Sequence, residues 1–306
     1  MNVVLGASGA VGSRLVRRLA ASGESVRALI RREAVEMPAG VERVRGDLLD
    51  PATLGPLFEG ATVIYYLVHA MGAQPLGGKD LVAEDRRQAE HAFTAAVKSG
   101  RPRVVYVSGL GASADAPSAH LRGRFAVEEA LEKSGLERVV FRAGILLGPG
   151  SVGFEVLLRY VRSPLLPLPA WSDLPMQPFA LSDLLDALVR AGHEAAFANR
   201  TISVGSKDRL TYAELFRRAA KAMGLSPLTL DMPRQLERIG PLAVAMGGDI
   251  PYREAEALVE SMVTAPFVVE DDGAAMRELG IPYRTFEEAL QLALRDAVKE
   301  SFAGVQ

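Results

Sequence analysis

Residues 2–32 constrain this chain more than any other stretch. An apolar run, Asn2-Val-Val-Leu5, meets Gly6-Ala7-Ser8-Gly9-Ala10-Val11-Gly12, and Ser13 to Gly23 follows with helical apolar spacing. A second apolar run, Ser25 to Ile30, ends on Arg31-Arg32. A buried strand that runs into glycines opening an amphipathic helix is the β-turn-α start of a dinucleotide-binding unit. Gly6 lets the chain turn off the strand. Gly9 removes a side chain where a pyrophosphate approaches the backbone, and Gly12 lets the helix pack close. The first N–H groups of the helix and its dipole then face the phosphates. The competing reading is an ordinary glycine-rich turn.

The end of the second strand bears on which nucleotide is bound. An NAD site places an acidic residue there, on the ribose 2′-OH. This chain places Arg31 and Arg32 there, with no carboxylate before Glu33. Guanidinium forks suit a 2′-phosphate, so NADP(H) is favoured over NAD(H). Two solvated arginines at a strand end are the alternative.

Composition narrows the class. Of 306 residues, 49% are hydrophobic and 24% charged, as in a soluble globular protein. A net charge of −2 argues against a nucleic-acid binder. With no cysteine, disulfides, thiolate metal sites and cysteine nucleophiles are excluded. The four histidines show no zinc-protease spacing, and no metal is expected. A strand beginning at residue 2 leaves no room for a signal peptide, and no apolar run is long enough to span a membrane. A cytoplasmic protein is expected.

Strand and helix patterns alternate six times over the first part of the chain. The further strands are Val41–Arg45, Thr62–Val68, Arg103–Val107 and Arg138–Arg142. Helices are expected over about 79–99 and from about Ser118. This pattern predicts an α/β fold: a doubly wound parallel sheet of the Rossmann type over 1–150. Residues 151–306 are expected to form a smaller, helix-rich lobe for substrate or partner, with segments returning to the core. Ser163–Pro178, with five prolines and Trp171, reads as loop or partner-facing structure rather than regular sheet. Thr211-Tyr-Ala-Glu214 is a capping box. Ligands of such sheets lie outside the carboxyl ends of the strands, which makes Leu67, Val68 and His69 a cofactor wall. Gly72–Lys79 has a Gly where a phosphate-binding loop needs its Lys, and reads as a loop over the cofactor.

The spacing Gly6/Gly9/Gly12, with Gly46-Asp47, the Tyr65–Gly72 and Val107-Ser108 strand ends, His120–Arg124 and Arg142–Ser151, resembles the atypical short-chain dehydrogenase/reductases. The nearest group is the NmrA-like, NAD(P)-binding epimerase-related proteins. The resemblance covers nearly the whole chain and is strongest over residues 2–190. It implies that Asp47, with Leu48 beside it, meets the adenine, although turn chemistry alone also explains Asp47. It further implies that Ser108 and Arg142, at their strand ends, belong to the cofactor set.

Working reductases of this family use a Tyr-x-x-x-Lys pair, in which the Lys lowers the Tyr pKa. None of the seven tyrosines here has a Lys four residues on. The matching positions hold His120 and Arg124, and the only asparagines are Asn2 and Asn199. In one reading His120, with an ordinary pKa of about 6.5, replaces the tyrosine as acid, and Arg124 anchors the ribose. In the other the site is degenerate, and His120, Arg124 and Glu128 make i,i+4 contacts along one helix face. His69 has a chemical role or a loop hydrogen bond, and His91 and His193 are structural. The expectation is thus a reductase of a small carbonyl or quinone-like acceptor, or an NADP(H)-binding redox sensor with a regulatory protein partner.

Overall fold

The structure is a computed structural model that describes residues 1–31, 36–68, 81–232, 259–260 and 267–303. Its principal sheet has seven strands. They are β1 (Asn2–Leu5), β2 (Val26–Ile30), β3 (Glu42–Arg45), β4 (Val63–Tyr66), β5 (Arg103–Gly109), β6 (Arg138–Ala143) and, after four short strands, β11 (Arg200–Val204). The order is β11-β6-β5-β4-β1-β2-β3. Pairing is parallel from β3 through β5, with Val4 opposite both Ala28 and Tyr65. β1, β4 and most of β5 are buried on both faces, which is why they read as unbroken Val/Ile/Tyr runs. β3 is an edge strand, and its Glu42, Arg43 and Arg45 are exposed.

The helices pack on the sheet by their apolar stripes. α1 (Ala10–Ala21) buries Leu15, Val16 and Leu19. α3 (Leu81–Lys98) buries Ala89, Ala92, Phe93 and Ala96, and α4 (Ala119–Ser134) buries Val127, Ala130 and Leu131. With the short α2 (Gly55–Phe58), α3 and α4 close one core around Leu5, Leu29, Phe58, Ile64, Tyr66, Tyr106 and Val140. The α1 residues are absent from that cluster and cover the opposite face, as the doubly wound fold requires. Each buried Leu, Ile or Phe contributes about 1.5–3 kcal/mol.

The chain forms two compact units. The first holds residues 1–115, 119–142 and 184–202; the second holds 116–118, 143–183 and 203–306. Residues 143–150 lie in the second unit, and α6 (Leu181–His193) with most of β11 returns to the first, so the units do not part at one point near 150.

The second unit contains β7 (Leu146–Leu147), α5 (Val152–Arg162), β8 (Leu165–Leu168), β9 (Pro175–Met176) and β10 (Phe179–Ala180). It continues with β12 (Leu210–Thr211), α7 (Tyr212–Ala222), β13 (Leu228–Asp231), α8 (Ala274–Glu278) and α9 (Phe286–Ala303). Here the expectation for Ser163–Pro178 is corrected. β8 pairs in parallel with β13, β9 pairs antiparallel with β12, and Trp171 is buried with its ring edge-on to Tyr212. Proline is tolerated because Pro175 is the first residue of β9, and Pro167 stands in β8, which among the described residues pairs only with β13. Gln177 ties the unit together, donating to Ser206 O and accepting from Val269 N, both at 2.7 Å. The Thr211/Glu214 capping box opens α7. Among the described residues, no helix is long and apolar enough to cross a membrane.

Candidate functional site

The strand order reverses at β1 and β4, and the crevice at their carboxyl ends is where an open α/β sheet holds its ligand. Gly6 follows β1 with φ +81°, and a Cβ there would lie 2.5 Å from the Leu67 carbonyl oxygen. A Cβ on Gly12 would be driven into the Gly6 carbonyl oxygen. Gly9 donates to Gly6 O at 3.0 Å, which closes the turn, and caps α1 without a side-chain hydrogen bond. The first turn of α1 carries no acidic residue. A glycine cradle beneath an uncapped helix N-terminus fits a dinucleotide pyrophosphate. Ser8 and Gly9 are exposed at its rim, and Ala10 and Val11 are half-buried. Ala7 is fully buried, so its methyl group is not available to a ligand.

Arg31 follows β2 and is exposed. Arg32 and His69 lie outside the described residues, as does Gly72–Lys79. Asp47 is exposed, and its Oδ1 accepts from Leu49 N at 2.9 Å. The Leu48 side chain is buried in the core, leaving its backbone at the strand end. Its carbonyl lies 2.8 Å from His91 Nδ1, a structural contact. Leu67 and Val68 are half-buried beyond β4, and Val68 packs against the core.

On β5, Tyr106 and Ser108 share one sheet face by strand alternation, the face covered by α3 and α4. Ser108 is buried, and its Oγ has no hydrogen-bond partner among the described residues. Leu121 packs over Gly109, which brings the first turn of α4 to the end of β5. Tyr106 Oη donates to Arg124 O at 3.3 Å, and Arg124 Nη1 donates to Val107 O at 3.0 Å. Burial pushes the Tyr106 phenol up to about 12, against the lowering effect of Arg124.

His120 stands in that first turn, half-buried, with Nδ1 sealed from solvent. Burial, reinforced by the Arg124 charge, pushes its pKa down to about 3. Burial thus favours the neutral ring over the imidazolium, and sets the group apart from an ordinary histidine titrating near 6.5.

Of the expected i,i+4 contacts, Arg124 acts on His120 through its charge. Arg124 bonds the β5 backbone, while Glu128 takes a bidentate pair from Arg142 on β6, with Nε–Oε1 at 3.1 Å and Nη2–Oε2 at 2.6 Å. The guanidinium of Arg142 is thus engaged by α4. Sequence reasoning missed Tyr106 and Val107 O; the alternation Tyr106/Ser108 was the available signal for the tyrosine.

Residues 6–160 match the family described as NAD(P)H-binding. The chain is similar to the ceramide reductase of Caulobacter vibrioides, at 30% identity over 235 residues, or 75% of this chain and 73% of that one. It is also similar to the NAD(P)H azoreductase of Xenophilus azovorans, at 25% identity over 301 residues, or 94% and 96% of the two chains. Among solved structures, the NADPH-dependent quinone oxidoreductase of Escherichia coli complexed with NADPH shares the fold, with a TM-score of 0.73, 19% identity and coverage of 95% and 99%. From the glycine cradle, the sheet order and these matches, the chain belongs to the NAD(P)H-binding family, and within it to the atypical short-chain dehydrogenase/reductases of the NmrA-like kind.

Proposed function

We propose that the protein is an NADP(H)-dependent reductase that passes hydride directly to a small carbonyl or quinone-like acceptor. The observation that carries this reading is the cradle of Gly6 and Gly12 combined with the exposed Arg31 at the end of β2, where an NAD site needs a carboxylate. The bound nicotinamide supplies the hydride chemistry. The protein's part is to hold the pyrophosphate on α1, the 2′-phosphate on Arg31 and the adenine beside Asp47. Ser108 and His120 offer a hydroxyl and a neutral imidazole N–H at the end of β5. A neutral imidazole of depressed pKa polarises an acceptor oxygen without giving up a full proton. That suits an acceptor whose reduced anion is stabilised by conjugation, such as a quinone, better than a ketone whose alkoxide is as basic as hydroxide. Relatives named for reduction of ceramide, azo compounds and quinones support the reductase class.

A second reading is a redox sensor that binds NADP(H) without turnover and engages a regulatory protein. The Arg124–Val107 bond favours it, because that guanidinium is turned to the β5 backbone rather than left free for a ribose. Fluorescence titration with NADPH and NADH, followed by a consumption assay on quinones and carbonyls, separates the two. Preferential NADPH binding with turnover is expected. Tight binding with no turnover on a broad panel selects the sensor, and an unchanged NADPH/NADH ratio in Arg31→Ala removes the NADP preference.

A further inference from the structure

Two arginines meet at the ends of β2 and β3. The Cα of Arg45 is in register with that of Ile30, and Gly46 N donates to Ile30 O at 3.2 Å. Arg31 follows Ile30, so the two Cα atoms stand on adjacent strand ends, about 5–6 Å apart. Leu29 packs in the α2–α4 core with Val44, its register partner, against it. Alternation then turns Ile30 and Arg45 toward the α1 face, the face of the helix whose N-terminus fits the pyrophosphate.

Both arginines are exposed, and among the described residues neither side chain makes a hydrogen bond or an ion pair. The acid nearest Arg45 in sequence, Asp47, turns its Oδ1 to Leu49 N. Two exposed guanidinium forks on neighbouring strand ends suit a dianion that lies beyond the sheet edge and accepts from both sides.

The sheet order says which dianion. A dinucleotide with its pyrophosphate at β1 lays its adenosine outward across β2, so the next group beyond the ribose reaches the end of β3. We infer that Arg45 is a specificity-determining residue that closes on the ribose 2′-phosphate of NADP(H) opposite Arg31. This inference rests on the NADP(H) reading above. Arg43 does not share the role: it is paired with Ala28, two residues short of the strand end, and lines a surface depression together with Glu36.

The test is direct binding, independent of turnover. Affinities for NADPH, NADH, 2′,5′-ADP and 5′-AMP are measured by titration for the wild type and for Arg45→Ala, Arg45→Lys, Arg43→Ala and Arg31→Ala. Arg45→Ala is expected to weaken NADPH and 2′,5′-ADP roughly 10- to 100-fold, the range for a charge-assisted contact, while NADH and 5′-AMP are unchanged. Arg45→Lys recovers part of the loss, because it keeps the charge without the fork. Equal loss for all four ligands, or no loss for any, overturns the role of Arg45. If the wild type binds NADPH and NADH alike, the NADP(H) reading itself falls. If it prefers NADPH and only Arg31→Ala erodes that preference, Arg45 alone is excluded.

Discussion

At the scale of single residues, the site depends on atoms that are missing and on charges held in check. Gly12 has no room for a methyl group, because the obstacle is the Gly6 backbone carbonyl rather than a side chain that can swing away. Gly12→Ala is expected to cost about 1–3 kcal/mol and to abolish nucleotide binding. Denaturant unfolding and an NADPH titration check both, and a variant that binds normally would remove the cradle from the site. His120 gives a pH prediction with a definite sign. Its folded pKa of about 3 lies below the unfolded value of about 6.5. As pH falls through that window the unfolded state takes up a proton that the folded state refuses, so stability drops, and below it the slope ends. Imidazole proton chemical shifts are expected to titrate with a midpoint at about pH 3. In Arg124→Met the midpoint rises, because the lowering charge is gone. A midpoint already near 6.5 in the wild type would refute the neutral-donor role.

At the scale of elements, α4 is held by its neighbours more than by itself. Helix-surface pairs contribute only about 0.2–0.5 kcal/mol, and Arg124 and Glu128 instead find partners on β5 and β6. Glu128→Gln removes the carboxylate from a half-buried bidentate pair and is expected to cost about 1–3 kcal/mol. Comparing its unfolding midpoint with that of a Glu128→Leu/Arg142→Met double variant shows how much of the loss is the unpaired guanidinium. The sequence was legible here only up to the element. The apolar stripes of α3 and α4 follow from spacing, and β1, β2 and β3 lie within a residue of the runs read for them. The partners were not legible, because Arg142 is fourteen residues from Glu128 and meets it only once a crossover has folded. Prolines misled the reading of residues 163–178, since the rule excluding proline from sheets spares edge strands and the first residue of a strand, which are the places of Pro167 in β8 and Pro175 in β9.

At the scale of the whole molecule, the glycine spacing and the six alternations were enough for the Rossmann sheet, because each is local in sequence. The place of β11 beside β6 was not legible, since pairing partners far apart in the chain leave no spacing to read. Nucleotide binding should register globally. NADPH at a hundred times its dissociation constant adds about 2.7 kcal/mol to the state that binds it. Thermal unfolding is expected to shift upward by several degrees with NADPH and by less with NADH, and no shift with either would count against the cradle. The return of β11 to the sheet also governs how the gene can be cut. A fragment ending at residue 150 would encode every residue of the glycine loop and both strand-end arginines, yet would leave β6 as a bare edge carrying Val139, Val140 and Phe141. Such an edge recruits strands from other chains. The smallest excisable nucleotide-binding piece therefore cannot be a prefix of this chain; it has to carry residues 184–204 with it, spliced across a gap.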